Sequence, residues 1–230
     1  MKCPWSSRCC KNIYPCDTIE IRKEVTLMSY MIAALAGYLL GCSNMAYWLS
    51  LLRKVDIRNQ GTGNLGASNT AVLLGWGAGI VVALHDIGKG VLTVLLAKFL
   101  FPDTEAVGAV AGVACVLGHI FPFYLKFRGG KGLASFMGIV AVLNWKVALA
   151  VTVLLVLVTL VTDFIALGTI SVSMAAPVGI WFTTGKIVIP LILCVATVVM
   201  VIKHMDNIQR IMRGCEIGLR STAKGENRVK

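Results

Sequence analysis

Long apolar runs alternate with three polar, glycine-bearing islands along this chain. The runs at residues 29–52, 147–162, 164–182 and 187–202 meet or approach the roughly 17 to 25 apolar residues that a helix needs to cross a bilayer. They predict four spans. Residues 71–101 are apolar except for His85, Asp86 and Lys89 near the middle, and read either as one long helix with a polar waist or as two shorter pieces. The short stretches 107–117 and 133–145 flank the second island and read as half-spans or tilted entries into a polar cavity.

The islands are residues 61–69 (GTGNLGASN), 118–132 (GHIFPFYLKFRGGKG) and 204–216 (HMDNIQRIMRGCE). Backbone inside a bilayer must be hydrogen-bonded internally, so flexible, donor-rich loops between apolar helices are tolerated only where they face water or line a cavity. Three such loops predict one shared polar site. If all three face one side, the crossings between Lys131 and Lys203 must be even in number, which makes 133–145 a fourth beside three obvious spans. The same parity assigns two crossings between Asn69 and His119. The expectation is an all-α integral membrane protein: a polytopic helical bundle of about seven transmembrane or half-spanning helices, or five if the short pieces only dip in.

Composition agrees, because 57% hydrophobic and only 14% charged residues lie outside the range of ordinary soluble domains. Orientation follows from the basic residues, since short cytoplasmic loops carry the excess of Lys and Arg. Arg53, Lys54 and Arg58 precede the first island, Lys126, Arg128 and Lys131 lie in the second, and Lys203, Arg210, Arg213 and a basic tail over 219–230 follow the last span, whereas 102–105 carries only Asp103 and Glu105. The islands and the tail are therefore expected on the cytoplasmic side and the N-terminus outside. The net charge of +11 expresses this asymmetry and attraction to anionic headgroups. It gives no support to nucleic acid as a partner, for no soluble basic domain carries it.

Residues 1–28 form a cysteine-rich extension with Cys3, Cys9, Cys10 and Cys16 but no C-x-x-C spacing, which gives little support to a zinc site. No apolar core precedes Ser29, so the segment reads as a non-catalytic extension rather than a signal peptide.

Gly61, Gly63 and Gly66 spell G-x-G-x-x-G, but the preceding residues 53–60 are not the buried strand that a dinucleotide fold requires. The glycines instead provide backbone that turns with positive φ and approaches a ligand closely. Thr62, Asn64, Ser68 and Asn69 add side-chain donors, and a helix starting near Asn69 would aim its N-terminus at an anion. The second island lacks the Gly at 125 and the Ser or Thr at 132 of a P-loop. Arg128, Gly129, Gly130, Lys131 and Gly132 nevertheless let two cations and several amides converge on one phosphate, as a planar fork and a point charge. In the third island His204, Asn207 and Arg210 recur every third residue, so on a continuing helix they line one face, followed by Glu216. His204 can serve as acid, base or neutral donor, and Asn207 can hold a hydroxyl or an oxyanion. His119 can cap a helix end or take part in chemistry. Asp86 and Lys89, costly inside a membrane unless paired, are expected near the cavity wall and paired with each other at helical spacing.

Together the islands resemble the bacterial acyl-phosphate-dependent glycerol-3-phosphate acyltransferases, the PlsY family. The glycine–asparagine motif matches 61–69, H-x-x-P followed by F-[KR]-G-G-K-G matches 119–132, and H-x-x-N-[ILV]-x-R with a later G-x-E matches 204–216. An intramembrane D-x-x-K-G recurs from Asp86 to Gly90, and the likeness runs in order from Ser29 to Gly218. The resemblance implies a membrane body over 29–218 in a bacterial inner membrane. Its implied reaction is transfer of a fatty acyl group from acyl phosphate to the 1-hydroxyl of glycerol 3-phosphate, giving lysophosphatidate. It implies Thr62, Lys131, His204 and Asn207 as catalytic residues. Phosphates would be held by Gly61, Gly63, Asn64, Gly66, Ser68, Asn69, Arg128, Gly129, Gly130, Gly132, Arg210 and Glu216. No metal, cofactor or obligatory protein partner is implied. No H-x4-D follows any histidine and the aspartates are scattered singly, which disfavours the other large acyltransferase class and the metal-dependent alcohol phosphotransferases. The chain departs from the family pattern at Val72, where an Arg is usual, with Arg58 as the candidate replacement cation. It departs again at Cys42-Ser43-Asn44 and, mildly, at Thr62, where Ser is usual. The alternative functional classes are a transporter of anionic phosphorylated molecules and a non-catalytic lipid-binding paralogue.

Overall fold

The structure, a computed structural model, describes residues 16–220. Cys3, Cys9, Cys10 and the tail beyond Arg220 lie outside the described residues. Ten α-helices account for most of the described residues, with no strand among them: α1 (Cys16–Cys42), α2 (Met45–Arg53), α3 (Ala67–Leu74), α4 (Trp76–Leu100), α5 (Val107–Ile120), α6 (Leu133–Leu143), α7 (Trp145–Thr162), α8 (Ile165–Thr184), α9 (Val188–Lys203) and α10 (Met205–Met212).

Seven apolar helices alternate between two ends of the bundle. Five helical runs are long and apolar enough to cross a membrane unaided: Glu24–Arg53, α4, Val107–Leu125, α7 and α8. A sixth is α9 with α10, bent by 40° at His204. The seventh, α6, has only 11 residues, about 16 Å of helix, shorter than a full span. The far end is marked by Lys186 Nζ donating to Glu105 Oε1 (2.7 Å) and by Asn144 Nδ2 donating to Thr183 Oγ1 (2.8 Å). The other end gathers all three islands and the α7–α8 turn at Asp163, whose carbonyl accepts from Leu219 N at 2.8 Å.

Two predicted runs are broken, each for a local reason. The run at 29–52 is divided at Ser43-Asn44, where Asn44 Oδ1 accepts from Tyr47 N (2.9 Å) and caps α2. Carbonyls freed at the end of α1 find donors from elsewhere: Gly41 and Ser43 accept from Lys89 Nζ at 3.1 and 2.7 Å, and Cys42 from Tyr124 Oη at 2.8 Å. A helix end inside an apolar body needs such partners. Residues 71–101 resolve into two pieces because Gly75 takes φ +90°, turning α3 back onto α4.

Helices approach closely through small residues. A Cβ on Gly41 would lie 2.1 Å from the Cys115 carbonyl oxygen, and one on Gly118 would lie 2.1 Å from that of Tyr38, which brings α1 and α5 into backbone contact. The main apolar core joins α5, α6, α7, α8 and α9 around Phe136, Ile139, Val172 and Leu193. Leucines, valines and tryptophans on the outer faces of α1, α4, α7 and α9 are exposed, as a bilayer solvent requires.

Candidate active site

A cavity of about 320 Å³ lies at the island end, walled by α3, α4, α6, α8 and the segment after α10. All three islands reach it.

The first island is shaped by Asn69, which is buried at the start of α3. Its Oδ1 accepts from Thr62 N at 2.9 Å while its Nδ2 donates to the carbonyls of Ile57 and Gln60, both at 3.3 Å. This single side chain ties the ends of the loop together and delivers Thr62, Asn64, Gly66, Ser68 and Asn69 to the cavity wall. Gly61 and Gly63 do not line it. They are the turn residues, at φ +59° and +67°.

The second island folds back over the end of α5. Gly129 N and Gly130 N donate to the carbonyls of Ile120 and His119, both at 3.1 Å, and Leu65 N donates to Gly129 O at 3.4 Å, joining first and second islands. Gly129 and Gly130 are thereby spent on packing against α5 and lie behind the wall, while Lys131 and Gly132 are on it. Arg128 is exposed and outside the lining.

The third island contributes His204, Asn207 and Glu216. Lys131 Nζ donates to Asn207 Oδ1, Asn207 Nδ2 donates to Glu216 Oε1 (2.5 Å), and Arg210 Nε donates to Glu216 Oε2 (2.6 Å). Arg210 stands behind Glu216 and not on the wall. His204 Nδ1 lies 2.7 Å from the Met200 carbonyl, so Nδ1 carries the proton and Nε2 keeps its lone pair. Burial first, then the Lys131 charge, pull His204 down to about 4. Burial first, then Arg210, pull Lys131 down to about 8, against the opposing pull of Glu216 and Asp206. Both shifts are those of groups removed from water.

Two helices begin at this cavity. The N-terminal residues Ala67 and Ser68 of α3, and Leu133 and Ala134 of α6, line it, and the first N–H groups of a helix have no partner within it. Lys131 shares the lining with these two positive helix ends, a combination that can attract an anion. Much of the remaining lining is apolar: Val72 from α3, Trp76, Ile80 and Ala83 from α4, and Ile165 and Ala166 from α8. Trp76 and Ile80 of this lining are half-exposed, and Val81, Leu84 and Leu92 of the same helix are exposed as well. The arrangement can seat an anionic head and an apolar tail together.

This chain matches the glycerol-3-phosphate acyltransferase family over residues 31–214. A glycerol-3-phosphate acyltransferase of Thermoanaerobacter pseudethanolicus is 38% identical over 193 residues, covering 82% of this chain and 95% of that one. The chain belongs to this family. A relative of the same name from Shewanella sediminis is 37% identical over 192 residues, covering 83% and 94%. Among solved structures, the glycerol 3-phosphate form of the integral membrane glycerol 3-phosphate acyltransferase PlsY (YgiH) superposes with a TM-score of 0.80 at 28% identity, covering 85% of this chain and 98% of that one. Its lysophosphatidic acid form gives 0.76 at 28% identity.

The apolar wall on α4 and α8 was not visible as site in the sequence, because these residues read only as membrane helix. Asp86 is on the wall and 2.9 Å from Lys89 Nζ, as its spacing predicted. The family pattern's missing cation is not restored by Arg58, which pairs with Asp56 (3.2 Å), sits over the Tyr47 ring and lies off the wall. Val72 itself is on the wall.

Proposed function

We propose that the protein, through a body spanning residues 29–218, transfers a fatty acyl group from acyl phosphate to the 1-hydroxyl of glycerol 3-phosphate. It does so in a bacterial inner membrane, with the cavity facing the cytoplasm. The observation that carries this reading is that Lys131, the N-termini of α3 and α6 and an apolar lining from α4 and α8 share one cavity. The bias of Lys and Arg towards the island end supports the orientation, and the bacterial origin of the relatives supports the membrane.

In the proposed reaction the hydroxyl oxygen bonds to the acyl carbonyl carbon, and the bond from that carbon to the phosphate oxygen breaks. Phosphate leaves as a good leaving group, so no enzyme nucleophile is needed. Lys131 and the N-termini of α3 and α6 hold phosphate and offset developing charge. Thr62 and Asn207 position reacting oxygens. His204 accepts the hydroxyl hydrogen bond at Nε2. A histidine held near 4 is too weak a base to keep the proton, which passes to the more basic departing phosphate. The acyl tail lies along Trp76, Ile80 and Ala83. Alignment of the two substrates supplies much of the acceleration.

The test is lysophosphatidate formation by purified protein in detergent with glycerol 3-phosphate and palmitoyl phosphate, with acyl-CoA and acyl carrier protein as parallel donors. Product from acyl phosphate alone is expected. Folded protein inactive with every donor, or active only with a thioester, would overturn the reading.

A further inference from the structure

Of the chain's three histidines, the proposed reaction uses His204 alone. His119 is as deeply buried, 3% exposed, and forms part of the same cavity wall. Its Nδ1 lies 2.8 Å from Lys89 Nζ. An ammonium has protons to give and no lone pair, so at this distance Nδ1 accepts and the ring proton resides on Nε2. Lys89 cannot easily turn away, since it also donates to the carbonyls of Gly41 and Ser43 and is held 2.9 Å from Asp86 Oδ1. The carboxylate that would favour the other tautomer is farther off, with Asp86 Oδ1 at 3.5 Å from His119 Nδ1.

Nε2 has no hydrogen-bond partner among the described residues, yet it is not sealed in as Ser135 Oγ and Thr159 Oγ1 are. His119 lines the cavity, and Gly130 packs on its Nε2 without a side chain: a Cβ at that position would lie 2.0 Å from the nitrogen. An N–H donor with no protein partner among the described residues therefore stands beside the peptide that leads into Lys131 and the N-terminus of α6.

We infer that His119 is a further substrate-binding residue of the acyl-transfer site, a neutral imidazole whose Nε2–H, held in that tautomer by Lys89, donates to a phosphate oxygen of a phosphorylated substrate. This rests on the proposed reaction for its setting. A donor that needs no protonation complements Lys131, which loses its charge near pH 8. Both substrates of that reaction carry a phosphate, and the kinetics identify which one His119 holds.

The experiment compares wild type with His119→Leu and His119→Gln, the second keeping an N–H near the position of Nε2. His119→Leu is expected to raise KM for one of the two phosphorylated substrates by about tenfold or more, the range of a hydrogen bond to a charged group, and His119→Gln to recover most of it. In parallel, 15N spectra of histidine-labelled wild type, with His119 assigned by its absence in His119→Gln, are expected to show the Nε2–H tautomer and a shift on adding inorganic phosphate. An active wild type with both KM values unchanged in a folded His119→Leu protein would overturn the inference, as would the Nδ1–H tautomer. Should wild type transfer no acyl group from any donor, the proposed reaction fails instead, and the phosphate-induced 15N shift still decides whether His119 is the donor.

Discussion

Lys131 donates to Oδ1 of Asn207, joining two residues 76 positions apart in the chain. Asn207 passes the connection to Glu216 and Glu216 to Arg210, so cation, amide, carboxylate and cation stand in a row, the first three on the cavity wall and Arg210 behind it. The amide is the only neutral member, and it lets Lys131 approach the site without collapsing onto the carboxylate.

Replacing Lys131 by Ala is expected to lower kcat/KM by about 10²- to 10³-fold, the usual cost of removing a donor aimed at developing charge. Asn207→Ala strands Lys131 and Glu216 together and is expected to cost about 1–3 kcal/mol of stability as well. Initial rates over a glycerol 3-phosphate titration, beside melting curves in the same detergent, separate the two effects. Full activity in folded Lys131→Ala would remove this residue from the catalytic set.

The pH profile follows from two groups. His204 is neutral above about 4 and Lys131 is charged below about 8, so activity is expected on a plateau between them and to fall as pH rises past 8, when the ammonium loses its proton. Glu216 favours the charged lysine, and Glu216→Gln is expected to move the alkaline limb to lower pH. An unmoved limb in that variant would assign it to another group.

Asn69 makes three hydrogen bonds to the first loop. Asn69→Ala leaves Thr62 N and two carbonyls without it, and is expected to lower the melting temperature by several degrees and raise KM. Gly61→Ala attacks the same contact from the other side, because its Cβ would lie 2.3 Å from Asn69 Oδ1 at φ +59°, with a left-handed backbone costing about 1–2 kcal/mol. Near-additive losses in the double variant would show that the two residues do not share one contact.

Val72 lines the cavity from the second turn of α3, so a cation there would enter the same cavity as Lys131. Val72→Arg is expected to lower KM for glycerol 3-phosphate several-fold and to make binding more sensitive to salt. A KM that is unchanged or raised would mean that the arginine does not reach the phosphate.

The segment carrying Glu216 is latched to the α7–α8 turn: Asp163 accepts from Leu219 N through its carbonyl (2.8 Å) and from Arg220 N through its carboxylate (2.9 Å). Asp163→Ala is expected to speed amide hydrogen exchange over residues 214–220 and to raise KM while leaving the bundle's melting temperature within a few degrees. Exchange at the wild-type rate would show that the segment is held by its other contacts.

The helical membrane class and the gathering of the three islands at one end were legible from sequence, because apolar runs of spanning length answer to the bilayer and donor-rich loops are kept out of its apolar interior, without knowledge of tertiary contacts. The shortness of α6 was legible for the same reason. So was the Asp86–Lys89 pair, since three residues on a helix bring two side chains together whatever surrounds them. Family motifs supplied the names of the polar residues that meet at the cavity.

Only the tertiary structure decided which member of each motif faces that cavity. Gly129 and Gly130 read as phosphate cradle but are pressed against the end of α5, while Lys131, one residue on, reaches the wall. Arg128 and Arg58, equal in charge to Lys131, are turned to the outside. Nor does local pattern reveal that Lys89 ends α1 by holding its carbonyls, that Asn69 ties the first loop together, or that an apolar stretch of α4 doubles as cavity wall. Hydrophobic pattern records how much of a residue is hidden from water. The direction in which it faces, and the partner it meets there, arise from contacts between segments far apart in the chain, and those exist only once the helices have packed.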